Sequence, residues 1–319
     1  MSRGVDAAGL REERDRLARE HGPWGDDVFL ADGLRTIEGE PGGAWMRTKA
    51  LVQVVADALG GDLAGVRVLD LGAAEGRHTV EFARHGAEAV ALEGRAGNVA
   101  KARFLKEALG LEGMDVVLSD VRELSAATHG EFDAVLCLGL LYHLEAEAVV
   151  DVVRRIAEVT RRVAVFDTHV SDRPRAEVTA GGRTLHGRLM REFDPGASAE
   201  EQAMLNRSSI ANPESFWPTR ASLFNLLADS GFTSVLEVQV PRVPRTSDRI
   251  TLVCFRGEER EVLSAPSVPV RVTWPEREKK RVNPNASWRG ELKKRLAPFT
   301  PAPVKEWSRR RRLERQRRR

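Results

Sequence analysis

Short apolar runs alternate with longer stretches of helical periodicity over most of the chain, and that alternation predicts a layered α/β fold. Strands are expected near 66–71, 88–93, 114–119, 132–139, 162–167, 233–240 and 249–256, and helices near 76–85, 95–109, 146–159 and 219–230. Strands and helices taken in turn give a doubly wound sheet. Only Pro241 to Asp248 separates the last two strands, too short for a crossover helix, so the seventh strand is expected to run antiparallel. Ahead of the sheet, residues 1–60 read as a helical extension: one mostly charged helix near Ala8 to Glu20, an irregular stretch through Pro41-Gly42-Gly43, and a second helix from Ala44 to Leu59.

The most informative stretch is Val68-Leu69-Asp70-Leu71-Gly72-Ala73-Ala74-Glu75-Gly76. A buried strand runs into a turn where Gly72 and Gly76 let the backbone approach a ligand, and a helix opens at Arg77. The next strand ends at Glu93, where a parallel sheet places a carboxylate to accept ribose hydroxyls. A dinucleotide fingerprint needs G-x-G-x-x-G, but here Ala74 and Arg77 stand at the second and third glycine positions. Asp70 would repel a pyrophosphate and pair with the ammonium of a methionine moiety. The pattern favours S-adenosylmethionine as the cofactor.

In these residues the chain resembles the class I S-adenosylmethionine-dependent methyltransferases, over about Leu63 to Arg256. Glu93 matches the ribose-binding acid, Ser119-Asp120-Val121 the segment that holds the adenine amino group, and Phe132 to Leu138 the fourth strand. The resemblance implies a Rossmann-like seven-stranded sheet and a cofactor site of Asp70, Gly72, Ala74, Gly76, Glu93, Asp120, Val121 and Leu138. The domain is expected at 61–257, followed by a basic tail at 258–319 that reads as disordered.

A narrower likeness, in Gly139-Leu140-Leu141-Tyr142-His143 and in Asn212, Phe216-Trp217-Pro218, Leu223, Leu227 and Gly231-Phe232, is to the branch holding the tRNA wobble-uridine carboxymethyltransferases. In that branch the donor's extra carboxylate is met by a tyrosine, an arginine before the last strand, and an upstream lysine. Tyr142 and Arg249 match, and Asn212 and Trp217 fall with Arg249 among the substrate-side residues. Phe29 to Trp45 offers only Arg35 as a cation, and a buried carboxylate lacking one partner costs roughly 3 to 5 kcal/mol, so ordinary methyl transfer is the favoured reading. Carboxymethyl transfer to tRNA is the alternative within the fold. A catalytically silent module that binds the cofactor and recruits partners is the alternative outside it.

Methyl transfer needs a base within reach of the acceptor proton. Tyr142 and His143 follow the fourth strand, and Asp167, Thr168 and His169 end the fifth. His143 or His169 is the candidate base, and Asp167 is expected to orient a histidine or to bind acceptor hydroxyls. His78 reads as structural or as a contact to the cofactor carboxylate. No dedicated metal-ligand motif is present, so no metal is expected. Residues 170–218 form an insert too long for an ordinary connection. Within it, Glu177–Ala180, Gly181-Gly182 and Arg183–Arg191 read as a β-hairpin expected to close over the acceptor, and that acceptor is expected to be an oxygen or nitrogen of a small molecule, a sugar or a modified nucleoside.

Composition narrows the setting. With 319 residues and 42% hydrophobic content the chain can cover both faces of a full sheet. It has no run long enough for a membrane span and no signal-peptide core at Met1 to Leu10, so a cytoplasmic location is expected. Cys137 and Cys254 fall in predicted buried strands and read as free thiols. The formal net charge of +3 conceals an asymmetry: Arg277 to Arg319 holds 17 Lys or Arg against four Glu, or +13, which leaves −10 on the remainder. Three readings of that segment stand: a solvated extension, a membrane-surface contact aided by Trp288, Leu292, Leu296, Phe299 and Trp307, or a nucleic-acid contact.

Overall fold

The structure is a computed structural model that describes residues 7–31, 33–38, 44–194, 196–198, 202, 208–239 and 248–260. The basic tail expected from the sequence lies outside the described residues. Its centre is a seven-stranded sheet made of β3 (Arg67–Leu71), β4 (Glu88–Glu93), β5 (Met114–Leu118), β6 (Phe132–Leu138), β7 (Thr160–His169), β11 (Ser234–Val238) and β12 (Arg249–Phe255). The strand order is β11-β12-β7-β6-β3-β4-β5. The five strands from β3 to β7 pair in parallel, while β12 runs antiparallel to both β7 and β11. This is the class I methyltransferase sheet, with the antiparallel seventh strand expected from the short 241–248 connection.

Alternation along each strand feeds two cores. On one face Val68, Ala134, Leu136, Val163, Val165 and Val253 meet α2 (Ala44–Leu59) through Leu51, Val55 and Leu59, together with Phe82 of α3 (Arg77–Arg84). Farther along the same face α4 (Ala96–Leu109) packs on Ala91 and Val116 and receives α1 (Ala7–His21) through Leu10 and Leu17. Leu69, Leu71, Val135, Cys137 and Phe166 face the other way. They pack with α6 (Ala146–Val159) and α7 (Arg220–Asp229), and the short α5 (Ala126–His129) lies against α6. Both cysteines are buried free thiols, and burial pushes the Cys137 thiol up to about 12.

The insert is a small sheet of its own. The hairpin expected at Gly181-Gly182 is present as β8 (Ala176–Ala180) and β9 (Arg183–Arg191), and β10 (Glu214–Pro218) adds a third strand in the order β10-β9-β8. Sequence pattern did not disclose β10, because Phe216-Trp217-Pro218 reads equally as the lead-in to the helix at Thr219. The hairpin turn does not close over the acceptor side as expected: a Cβ at Gly181 would stand 2.7 Å from Val150 and 3.0 Å from Arg154, so the turn is seated on α6. The insert leaves and rejoins the sheet at one place, where Ser171 pairs with Thr219 and its amide donates to Pro218 O at 2.8 Å. Between α1 and α2, β1 (Phe29–Ala31) and β2 (Leu34–Arg35) form a separate two-stranded ribbon.

Candidate cofactor and acceptor site

The carboxyl ends of β3, β4, β5 and β6 open on a cleft of about 640 Å³, at the switch point where the chain crosses from one half of the sheet to the other. Asp70, Gly72, Ala73 and Ala74 line it from β3, Leu92, Glu93 and Gly94 from β4, and Ser119, Asp120 and Val121 from β5. Leu138, Gly139, Tyr142 and His143 line it from β6. The turn after β3 is tight because the backbone turns left-handed three times, at Gly72 (φ 62°), Ala74 (φ 51°) and Gly76 (φ 89°). A Cβ on Gly72 would sit 3.1 Å from Leu140, which closes that flank of the cleft.

Ala74 is the one non-glycine residue among those described with positive φ. An L-residue held there is strained by roughly 1 to 2 kcal/mol. Ala74→Gly is therefore expected to raise stability by about 1 kcal/mol, readable as a higher denaturant midpoint at unchanged slope.

Glu93 is buried and held from three sides. Its Oε2 accepts from the amide of Ala74 at 2.9 Å, and its Oε1 accepts from the amide of Arg95 at 2.9 Å and from Asn98 Nδ2 at 3.3 Å. Burial raises its pKa, and the two amides and Asn98 oppose that rise. Asp120 caps the short turn Val121–Glu123, accepting from Arg122 N at 2.9 Å, and ion-pairs with the Arg122 guanidinium at 2.7 Å. Asp70 is enclosed and accepts from Thr79 Oγ1 at 2.8 Å. Buried carboxylates above a left-handed turn suit a ligand with ribose hydroxyls and a cationic end.

The Methyltransferase domain family matches residues 68–162, the stretch that builds this half of the cleft. The N-terminal domain of EvdMO1, crystallised in the presence of S-adenosylhomocysteine (SAH) and D-fucose, superposes with a TM-score of 0.63 at 28% identity, covering 81% of this chain and all of that one. The chain carries a class I S-adenosylmethionine-dependent methyltransferase domain. Longer EvdMO1 aligns at 26% identity and a TM-score of 0.52, over 80% of this chain and half of that one. A ubiquinone biosynthesis O-methyltransferase of Xanthomonas oryzae pv. oryzae is 38% identical over 86 residues, 26% of this chain. The chain spans about a third of the length of that curated relative.

In this methyltransferase domain Asp70, Gly72, Ala74, Glu93, Asp120, Val121 and Leu138 line one cleft, while Gly76, expected with them, faces the packing side, where a Cβ would stand 3.2 Å from Met114 and 3.4 Å from Ala102. The charge state of the cleft depends on pH through Asp70, whose pKa burial pushes up to about 7, against the hydrogen bond from Thr79. An acid with a raised folded pKa favours its protonated form, so its contribution to apo stability is largest below the ordinary carboxylate range and fades as pH rises through 7. Cofactor binding runs the other way, since a cationic ammonium pairs with the ionised form. SAH affinity is expected to rise about tenfold between pH 6 and pH 8 by calorimetry, and Asp70→Asn is expected to flatten that dependence.

The acceptor-side candidates divide. His143 lines the cleft, and its Nδ1 lies 2.9 Å from Glu192 Oε2. Glu192 stands just past β9 and also accepts from the amide of Ser209 at 2.9 Å. Burial pushes its pKa up, but the hydrogen bonds from His143, Ser215 and Ser209 outweigh that and leave it lowered. An ionised Glu192 fixes the proton on His143 Nδ1 and leaves Nε2 as the nitrogen able to take another. Asn212 donates to His143 O at 2.9 Å and to Glu214 O at 2.8 Å, so it positions the backbone of His143.

Asp167 and His169 sit elsewhere than expected. Asp167 is fully buried, and its carboxylate is engaged by arginines and a threonine. Its Oδ1 meets Arg249 at 2.7 Å and Arg47 at 2.9 Å, and its Oδ2 accepts from Thr251 Oγ1 at 2.6 Å. The β12–β7 register dictates this, placing Thr251 opposite Asp167. His169 does not line the cleft. It stacks on Trp217 at 4.4 Å, meets Tyr142 edge-on at 4.7 Å, and lies 3.2 Å from Asp248. Burial and then Arg249 lower the His169 pKa, against the pull of Asp248. Trp217 donates from Nε1 to Tyr142 O at 2.9 Å and carries Arg188 on its ring at 4.2 Å, so it props the tyrosine from behind. His78 is buried with Nδ1 3.1 Å from Thr48 Oγ1, its pKa depressed by burial and by Arg77.

Several site residues escaped the sequence reading. Arg47, in α2 and two positions beyond the window searched for a third cation, lines the cleft with Arg249. Glu75, inside the glycine turn, accepts from the amides of Gly25 and Asp26 at 2.9 and 2.7 Å and pairs at 2.7 Å with Lys101. Lys101 Nζ also donates to Pro23 O at 2.9 Å. This buried pair staples the segment before β1 to the cofactor turn. From the insert, Ser208 and Ser209 offer their carbonyls to Arg95 at 3.2 and 2.9 Å, and Ile210 covers Gly94. Among the described residues of the insert, Ser208, Ser209, Ile210 and Asn212, rather than the hairpin turn, reach the cleft.

Proposed function

We propose that the protein transfers a methyl group from S-adenosylmethionine to a hydroxyl oxygen of a small polyhydroxylated acceptor, with a sugar as the favoured class. The observation that carries this reading is the His143–Glu192 pair lining the same cleft as Asp70 and Glu93. An alkyl hydroxyl must lose its proton as it is methylated, and a histidine whose other nitrogen is held by a carboxylate is built to accept it. When bound, S-adenosylmethionine supplies an activated methyl group. The chain does the rest: Glu93 and Asp70 fix the cofactor ends, His143 Nε2 takes the acceptor proton, and Glu192 stabilises the resulting imidazolium. The D-fucose present with the EvdMO1 domain, and the oxygen acceptor named for the ubiquinone enzyme, agree with a hydroxyl target.

The purified chain would be incubated with methyl-labelled S-adenosylmethionine and a panel of sugars, nucleotide-linked sugars, nucleosides and amines, and the labelled position would be assigned by NMR. Label on a hydroxyl oxygen is expected. Label confined to nitrogen would overturn the reading, and tight SAH binding with no transfer to any acceptor would favour the silent binding module.

One observation keeps a second reading in view. Arg47 and Arg249 both meet the Asp167 carboxylate and both line the cleft with Tyr142, so a second guanidinium stands where the carboxymethyl reading asks for a further cation. Tighter calorimetric binding of the carboxylated donor than of S-adenosylmethionine would favour carboxymethyl transfer.

A further inference from the structure

Arg95 caps the start of α4, and its backbone and side chain serve opposite halves of the cleft. The amide donates to Glu93 Oε1 at 2.9 Å, while the guanidinium donates to Ser208 O at 3.2 Å and to Ser209 O at 2.9 Å. Ser208 O and the Ser209 N–H belong to one peptide unit, which is planar and trans, so they point in opposite directions. Gripping the oxygen therefore aims the N–H. That N–H donates to Glu192 Oε2 at 2.9 Å, the same oxygen that lies 2.9 Å from His143 Nδ1. Ser209 is buried, so the bonds on the two sides of this peptide are made away from water and strengthen each other. Its hydroxyl donates to Asn212 O, and Asn212 Nδ2 donates to His143 O at 2.9 Å.

We propose that Arg95 is a positioning residue for the acceptor base: it orients the peptide between Ser208 and Ser209, that peptide holds Glu192, and Glu192 holds the proton on His143 Nδ1. Arg95 touches neither the acceptor nor the reacting atoms and acts only through this chain of contacts. Because its amide serves Glu93, one residue ties the carboxylate expected to take the cofactor ribose to the carboxylate that sets the histidine tautomer. The two duties separate on substitution, since a new side chain at 95 keeps the amide and removes the guanidinium. The inference rests on the reading of His143 as the base and is independent of which hydroxyl is methylated.

The test reads the ring of His143 directly, by NMR of the full chain carrying isotope-labelled histidine and saturated with SAH. The chain has seven histidines, and the signal lost in His143→Asn assigns the one in question. At about pH 8 that ring is expected to show a single tautomer with its proton on Nδ1, Arg95→Gln is expected to show a mixture of both, and Arg95→Lys, which keeps a donor for the carbonyls, is expected to restore the single form. In kinetics with an identified acceptor, Arg95→Gln should lower kcat about tenfold and change KM for S-adenosylmethionine less than about twofold. Placed on Glu192→Gln it should cost less than about twofold more, because the contact that Arg95 supports is already lost there. A mixture of tautomers in the unsubstituted chain, an unaltered ring in Arg95→Gln, or a further loss of about tenfold on top of Glu192→Gln would overturn the proposal. The ring measurement needs no acceptor, so failure of the base reading shows separately, as unchanged transfer in His143→Asn.

Discussion

His143→Asn is expected to lower the methyl-transfer rate by about 10²- to 10⁴-fold while SAH affinity changes by no more than about twofold. The asparagine preserves a polar group near Glu192 Oε2 and removes the nitrogen able to take a proton, so the loss should fall on kcat and spare KM for the cofactor. Glu192→Gln should cost less, about 10- to 100-fold, because the imidazole remains but loses the carboxylate that fixes its tautomer and stabilises its charged form. Steady-state kinetics with an identified acceptor would check both. Unchanged turnover in His143→Asn would remove the histidine as the base and return attention to Tyr142, which stands in ring contact with it at 4.3 Å.

The largest expected stability effect lies at Glu75 and Lys101. Lys101 is fully buried and Glu75 nearly so, and the ammonium lies 2.7 Å from the carboxylate and 5.2 Å from the Trp24 ring. Burial raises the Glu75 pKa, and the hydrogen bond from Lys101 opposes that rise. Removing one partner strands a charge in the interior, so Lys101→Met is expected to destabilise by about 3 to 5 kcal/mol, or roughly 10 °C in Tm. Removing both charges together, with Glu75→Gln added, should cost less than the two single changes summed. Thermal unfolding of the four proteins closes that cycle. Cofactor affinity should fall along with stability in Lys101→Met, since the same pair holds Gly25 and Asp26 against the cofactor turn.

The sheet, its antiparallel strand and the cofactor turn were legible because each is written locally: alternation of period two, glycines where φ turns positive, and a connection too short for a helix. Even the glycine-turn hairpin was visible in that way. The rest depended on pairs far apart in sequence. Glu75 sits between Ala74 and Gly76 with nothing local to mark it, and its partner lies 26 residues away inside a helix whose other lysine and arginine residues look much the same. Glu192 meets His143 across 49 residues and is one acid among several in the insert. Asp167 was read as a catalytic neighbour of His169 because the two lie close in sequence. In a strand, however, residues two apart share a face while their partners come from the neighbouring strand, and that strand gave Asp167 to Arg249 and Thr251.

The junction at Ser171 and Thr219 bears on how acceptor choice can change over time. A segment of nearly fifty residues that leaves and rejoins the sheet at adjacent points carries a small closure cost whatever its length, because that cost grows only with the logarithm of the loop. An exchange of the whole insert for another with the same two ends would keep the sequence of β3, β4 and the cofactor turn, provided the new segment again packs where Ala180, Leu185 and Phe216 join the core and where Ile210 covers Gly94. It would replace Glu192, Asn212 and Trp217 together, so the carboxylate partner of His143 and the props of its neighbours would travel as one unit. The domain is thus open to new acceptors by replacement of a cassette, and an engineer seeking a different target would graft between Ser171 and Thr219 and retain Arg95 to seat the new segment.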